Sequence, residues 1–268
     1  MCRTILVTSC KGGVGKSTVA ANLSMALSSL GRRVVLIDMD LGNRCLDLIL
    51  GCEDSVVYDI ADVCIGVSDL SQALITFERP RNFLFCPAPF MYSGNITKEN
   101  LKHALEDLRA KYSPDYIILD TSGGADISVE LCASVSDEAI IVSSRNPSSI
   151  RAASKSGVLL ESFGVEVQHL IINGLELDTK KTDVRVGVLE IIDMTGVCLL
   201  GIIPKDSSIE LLAEKGKLCG EGRVTAACTA FSNTARRIDG EKVKLLSSVK
   251  GLSERQRRRI LTGDIHKK

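Results

Sequence analysis

The stretch Lys11-Gly12-Gly13-Val14-Gly15-Lys16-Ser17-Thr18 follows a β-branched run at residues 4–8 and opens an Ala/Leu-rich segment at residues 17–30. Strand, glycine-rich turn and helix N-terminus in that order make an anion cradle, because successive backbone N–H groups and the helix end meet clustered negative charge. Glycines let the backbone come close without side chains in the way. In such a loop Lys16 places its ammonium on the β- and γ-phosphates of a nucleoside triphosphate, the Ser17 hydroxyl ligates Mg2+, and Thr18 reaches the α-phosphate. The strict pattern G-x-x-x-x-G-K-[ST] needs a glycine at position 10, where this chain has Cys10, so the loop is a variant.

Working outward, further apolar runs at residues 34–38, 83–87, 116–120, 139–143, 169–173 and 197–203 read as strands, and longer amphipathic segments fill most gaps between them. That alternation predicts an α/β fold, a mostly parallel sheet with helices on both faces. Gly31 stops the first helix, and Thr97 caps a second that runs to Lys111, with Glu99 near its start and Pro114 after its end. No repeat or linker interrupts the pattern, so residues 1–235 read as one domain. Residues 236–268 hold eleven basic and four acidic side chains, a net +7 on a chain whose formal charge is +0. The neutral total therefore hides an acidic body and a basic tail.

Composition narrows the function. An apolar fraction of 45% with 25% charged residues is that of a globular protein, not of a disordered chain. The longest apolar runs fall short of the roughly 20 residues needed to cross a bilayer. The glycine-rich loop begins too early for a secretory signal, which predicts a cytoplasmic location. Ten cysteines include no C-x-x-C pair, and the expectation is reduced, mostly buried thiols rather than a metal or iron–sulfur site. Without tryptophan and with 4% aromatic residues, the chain is poorly equipped to stack bases of single-stranded nucleic acid.

The extra lysine at the head of the loop gives K-G-G-x-G-K-[ST], which resembles the deviant Walker A motif of the MinD/ParA family of ATPases. The resemblance runs from Thr4 to about Gly222 and is strongest toward the MinD branch, as residues 48–59 show. It implies a P-loop NTPase fold of about seven or eight strands, ATP and Mg2+ as ligands, and a homodimer formed on ATP binding. In that dimer Lys11 reaches the partner's nucleotide, so Lys11, Lys16 and Asp40 are the implied catalytic residues. The segment at residues 38–42 matches D-x-D-x-G, in which Asp40 positions the attacking water and Asp38 supports the Mg2+ shell. Asp120 ends an apolar run in Walker B form and completes the metal set with Ser17 and Asp38. The following Thr121-Ser122-Gly123-Gly124 departs from the family's Ser-Pro-Ala-Gly, and the two glycines imply a flexible second switch. For the base, Asn173 resembles the asparagine that reads adenine, and Pro204 and Asp206 the loop that packs on the ring. Gly174 stands where the family often has arginine.

The resemblance also implies a role: positioning the division site by recruiting an inhibitor and an ATPase-activating partner, peripheral at the inner face of the cell membrane. In the tail, Val243, Leu246, Val249 and Leu252 repeat at i+3, a pattern that could equally pack on the domain. The following residues 253–261 carry four arginines with only Ile260 and Leu261 to insert, so binding to anionic lipid rests mainly on charge. The alternative is a ParA-type protein that coats DNA nonspecifically, with nucleic acid the less favoured partner.

Overall fold

Valine, isoleucine and leucine runs set the strands of the computed structural model: β1 (Arg3–Thr8), β2 (Val34–Met39), β3 (Ile75–Thr76), β4 (Phe83–Cys86), β5 (Tyr116–Thr121), β6 (Glu138–Ser143), β7 (Gln168–Leu175) and β8 (Cys198–Pro204). The structure describes residues 2–78, 80–177, 186–221, 224–249 and 251–262. Gly222, where the family resemblance ends, and the tail lysines Lys250, Lys267 and Lys268 lie outside them. Among the described residues the eight strands form one sheet in the order β3-β4-β2-β5-β1-β6-β7-β8. Every pairing is parallel except β3 with β4. The sequence reading did not include β3, because a two-residue edge strand leaves no periodic signal.

The helices are α1 (Lys16–Ser29), α2 (Leu46–Leu50), α3 (Ile60–Cys64), α4 (Leu70–Ala73), α5 (Lys98–Tyr112), α6 (Ile127–Ala133), α7 (Pro147–Ser162), α8 (Val188–Thr195), α9 (Ser207–Ala213), α10 (Ala226–Ile238) and α11 (Glu254–Thr262). Alternate strand residues face opposite ways, so the sheet splits the core in two. Ile5, Val7 and Ile118 pack with α1 and α10, whereas Leu6, Ile117 and Leu119 pack with α5 and α7. Thr97 caps α5 through a reciprocal pair with Asn100.

Position 235 falls inside α10. Residues 245–248 form a turn that buries Leu246 and Val249, so the i+3 repeat of the tail packs on the body. Beyond it α11 docks on the body with Ile260 fully buried, which removes from solvent one of the two residues expected to insert into lipid. Cys219 and Cys228 form a disulfide, against the expectation of reduced thiols; nine residues apart and outside any motif, they give no pairing signal. No described helix is long and apolar enough to cross a membrane.

Candidate functional site

The loop after β1 turns into α1 through Gly15, whose left-handed backbone (φ 85°) ends the turn. A Cβ at Gly15 would overlap the Asn173 amide, so only glycine fits there. The first turn of α1 contains no acidic residue, which leaves its N-terminus open to an anion. Lys16 is its first residue and is only 7% exposed. Lys11, at the other end of the loop, donates from Nζ to the Ser148 hydroxyl of α7 in its own chain at 2.6 Å.

On the β5–β2 side of this loop stand the acids. Asp38 and Asp120 are register partners and are both fully buried. The Asp38 carboxylate accepts N–H bonds from Asp40 (2.9 Å), Leu46 (3.2 Å) and Cys45 (3.4 Å). Burial nevertheless pushes it up to about 7. Asp120 is raised well above the carboxylate range by burial and then by the charge of Asp38, with the Ser17 hydroxyl pulling the other way. Neither of its oxygens has a hydrogen bond of normal geometry. Asp40 lies just past β2, half-buried; burial raises it and Lys16 lowers it. The Cys45 thiol sits against Ser17 and is raised to about 11, chiefly by burial.

This donor set fits a divalent cation. An orphaned buried carboxylate next to a hydroxyl is what such an ion would compensate, because buried charge is tolerated when paired or metal-bound. Among the described residues no three His, Cys, Asp or Glu side chains form a cage of their own. Mg2+ uses one or two carboxylates together with water and phosphate oxygens.

The second switch is less loose than its two glycines imply. A Cβ on Gly123 would stand 2.9 Å from the Gly12 Cα and 3.3 Å from the Lys16 Nζ, so this segment lies directly on the phosphate loop. The Thr121 hydroxyl donates to the Val7 carbonyl (3.1 Å), and Asp126 caps α6.

On the other side of the loop, toward β6, β7 and β8, opens a cavity of about 830 Å3, a volume that suits a nucleotide. Gly13, Gly15 and Thr18 form one end; Asn173, Pro204 and Asp206 line the other. Two roles differ in detail. Asn173 donates from Nδ2 to the Val14 carbonyl (2.9 Å), so part of its amide is spent on the loop. The Asp206 carboxylate caps α9, accepting from the Ser208 N–H (3.0 Å) and hydroxyl (2.7 Å). Sequence reasoning missed Arg145 and Glu176, which line the same cavity together with Lys205. Their placement just past β6, at the end of β7 and just past β8 is the available signal, since open α/β sheets bind ligands at the carboxyl ends of their strands.

A model of the ParA family, described as NUBPL iron-transfer P-loop NTPase, matches residues 1–239. The septum site-determining protein MinD of Synechocystis sp. is 37% identical over 98% of this chain and 100% of its own length. That of Bacillus subtilis is 33% identical over 91% and 92%. Among solved structures, the MinC:MinD cell division complex of Aquifex aeolicus aligns with a TM-score of 0.83 at 34% identity, covering 91% of this chain and 98% of that one. MinD of Pyrococcus horikoshii complexed with Mg-ADP aligns at 0.75 and 28% identity, over 89% and 96%. In sequence over nearly its whole length, and in fold, the chain belongs to the ParA/MinD family of P-loop NTPases.

Proposed function

We propose that the chain is an ATP-driven dimerisation switch of the MinD type, which hydrolyses ATP to ADP and phosphate with Mg2+. Its ATP-bound pair docks on an anionic membrane surface and recruits cell-division partners, of the kind that the Aquifex relative assembles with, to position the septum. The observation that carries this reading is one glycine-rich loop with a lysine at each end, a buried Lys16 and an outer Lys11 on the Ser148 hydroxyl.

Lys16 and the N–H groups of the loop hold the phosphates of the chain's own nucleotide. Ser17, Asp38 and Asp120 hold Mg2+, which when bound neutralises charge on the β- and γ-phosphate oxygens. Asp40 orients the attacking water. Lys11 leaves Ser148 for the γ-phosphoryl group of the partner's nucleotide. It exchanges a hydrogen bond to a neutral hydroxyl for one in which donor and acceptor are both charged. ATP is thus ligand and glue together, and hydrolysis releases the pair.

Light scattering with ATP and Mg2+ tests the reading: Lys11→Ala and Lys16→Ala stay monomeric, whereas Asp40→Ala forms a lasting dimer with little phosphate release. Undiminished dimerisation of Lys11→Ala would refute the mechanism. A partition-type protein would instead be retained on DNA at low salt with steep salt dependence.

A further inference from the structure

Strands β6 and β7 run parallel in a register that ends at Ser143 opposite Ile172. Past the end of that register Arg145 follows β6, and Gly174 stands in β7 where its pairing with β8 shifts between Ile172 and Leu175. Both line the 830 Å3 cavity, at the side away from the acids. Gly174 has a positive φ of 66° and no atom within 4 Å of where a Cβ would stand, so β7 offers open space there. Arg145 is partly buried, and its Nε donates to the Val186 carbonyl at 2.6 Å, which restrains the guanidinium plane.

What else could hold a base is limited. Phe231 contributes the aromatic ring among the described lining residues, but it is 1% exposed and belongs to the core. Lys205 and Glu176 pair with each other at 3.0 Å. A purine is a flat, polarisable ring, and a guanidinium is the charged group that stacks on such faces, being planar, delocalised and weakly hydrated.

We propose that Arg145 is the base-stacking residue of the nucleotide site, its guanidinium covering one face of the purine while the phosphates lie on the loop at the other end. The proposal rests on the nucleotide-binding reading above. It assigns to the segment after β6 a contact that the bare Gly174 of β7 does not make.

Calorimetric titration of the full chain, in Mg2+, with ADP, UDP and inorganic tripolyphosphate tests it. Expected for Arg145→Ala are an ADP affinity about tenfold weaker, a smaller preference for ADP over UDP, and tripolyphosphate binding unchanged within about twofold. Arg145→Lys keeps the charge, and its ADP affinity stays near that of Arg145→Ala because an ammonium has no plane. An unchanged ADP affinity in Arg145→Ala overturns the proposal. So does an equal loss for tripolyphosphate, which makes Arg145 a phosphate residue, or full recovery in Arg145→Lys, which makes charge alone sufficient. A wild-type chain that binds tripolyphosphate but shows no preference for ADP removes the base contact and leaves the phosphate loop standing. One that binds neither ligand refutes the nucleotide reading itself.

Discussion

Asp38 and Asp120 stand side by side as register partners on adjacent parallel strands, both buried, but only Asp38 is supplied with backbone N–H donors. Without a cation the pair is a burden on the fold. A carboxyl whose folded pKa lies above its unfolded value binds a proton more tightly when folded. The resulting penalty is absent below about pH 4, and it grows as the pH rises through the window up to the folded value. For Asp38 that window ends at about 7; for Asp120 it extends higher.

Asp120→Asn therefore makes the unliganded chain more stable at neutral pH, by about 1–3 kcal/mol, with the gain shrinking toward pH 4. The same change abolishes the stabilisation that Mg-ADP gives. Thermal melts at pH 5 and pH 8, with and without Mg-ADP, check both halves. A melting temperature that falls in the unliganded variant contradicts the assignment of Asp120 as an uncompensated acid.

Gly123→Ala tests the contact between the second switch and the phosphate loop. The added methyl meets Gly12 backbone at 2.9 Å, which has no flexible end to move aside. Either the loop or the switch must shift, and in the proposed function both serve the phosphates. ADP affinity should fall about tenfold or more, because misplacing a preorganised anion cradle loses several N–H contacts together. The unliganded melting temperature should change little, since Gly123 lies beyond the buried end of β5. Equal ADP affinity in the two proteins shows that the switch swings clear when nucleotide binds.

The strand, loop and helix around Lys16 were legible because each leaves a local signature: a β-branched run, glycines, then helical spacing. Asp120 was legible as the acid that ends an apolar run. Arg145 was not, since only the fold brings the segment after β6 to the cavity beside β7 and β8, and that approach is invisible in one sequence. The constraint on Gly123 is likewise a tertiary approach, so its glycine reads as looseness from sequence and as close packing in the fold. Asp206 reads as a base contact by resemblance, but it is also an N-cap preceding Ser207-Ser208, a local pattern that sequence can show. The tail stayed open for a third reason: apolar residues at i+3 fit a helix, a lipid face or a docked turn equally well, and only the body's surface decides among them.

At the opposite end of the strands from the nucleotide site, Glu138 accepts Arg3 Nε at 2.7 Å and lies 3.3 Å from His169 Nε2. Burial raises the carboxyl, but the His169 hydrogen bond and the Arg3 guanidinium outweigh it and hold Glu138 below the usual glutamate range. A lowered folded pKa contributes stability that is present above the unfolded value near 4.5 and lost as the pH falls through the folded one. Glu138→Gln should thus cost about 1–3 kcal/mol at pH 7, by leaving Arg3 short of its charged partner. It should also flatten the decline in stability between pH 5 and pH 3. Urea denaturation across that range measures both, and an unaltered acid slope excludes Glu138 as a source of it.

The docked tail separates charge from insertion. Ile260 is buried against the body, and the Arg257 guanidinium reaches the carbonyls of Leu246 (3.4 Å), Val249 (3.3 Å) and Leu252 (3.4 Å), whereas Arg255 and Arg258 are exposed. If lipid contact is electrostatic, reversing those exposed arginines removes it without disturbing the fold. At about 1 kcal/mol for each basic residue near an anionic surface, Arg255→Glu with Arg258→Glu should reduce ATP-dependent sedimentation with anionic vesicles more than tenfold and leave the melting temperature unchanged. Ile260→Ala acts on the other term, costing about 2–5 kcal/mol of stability through the cavity it opens. Loss of vesicle binding in Ile260→Ala, with the double arginine variant still bound, would mean that α11 leaves the body and inserts.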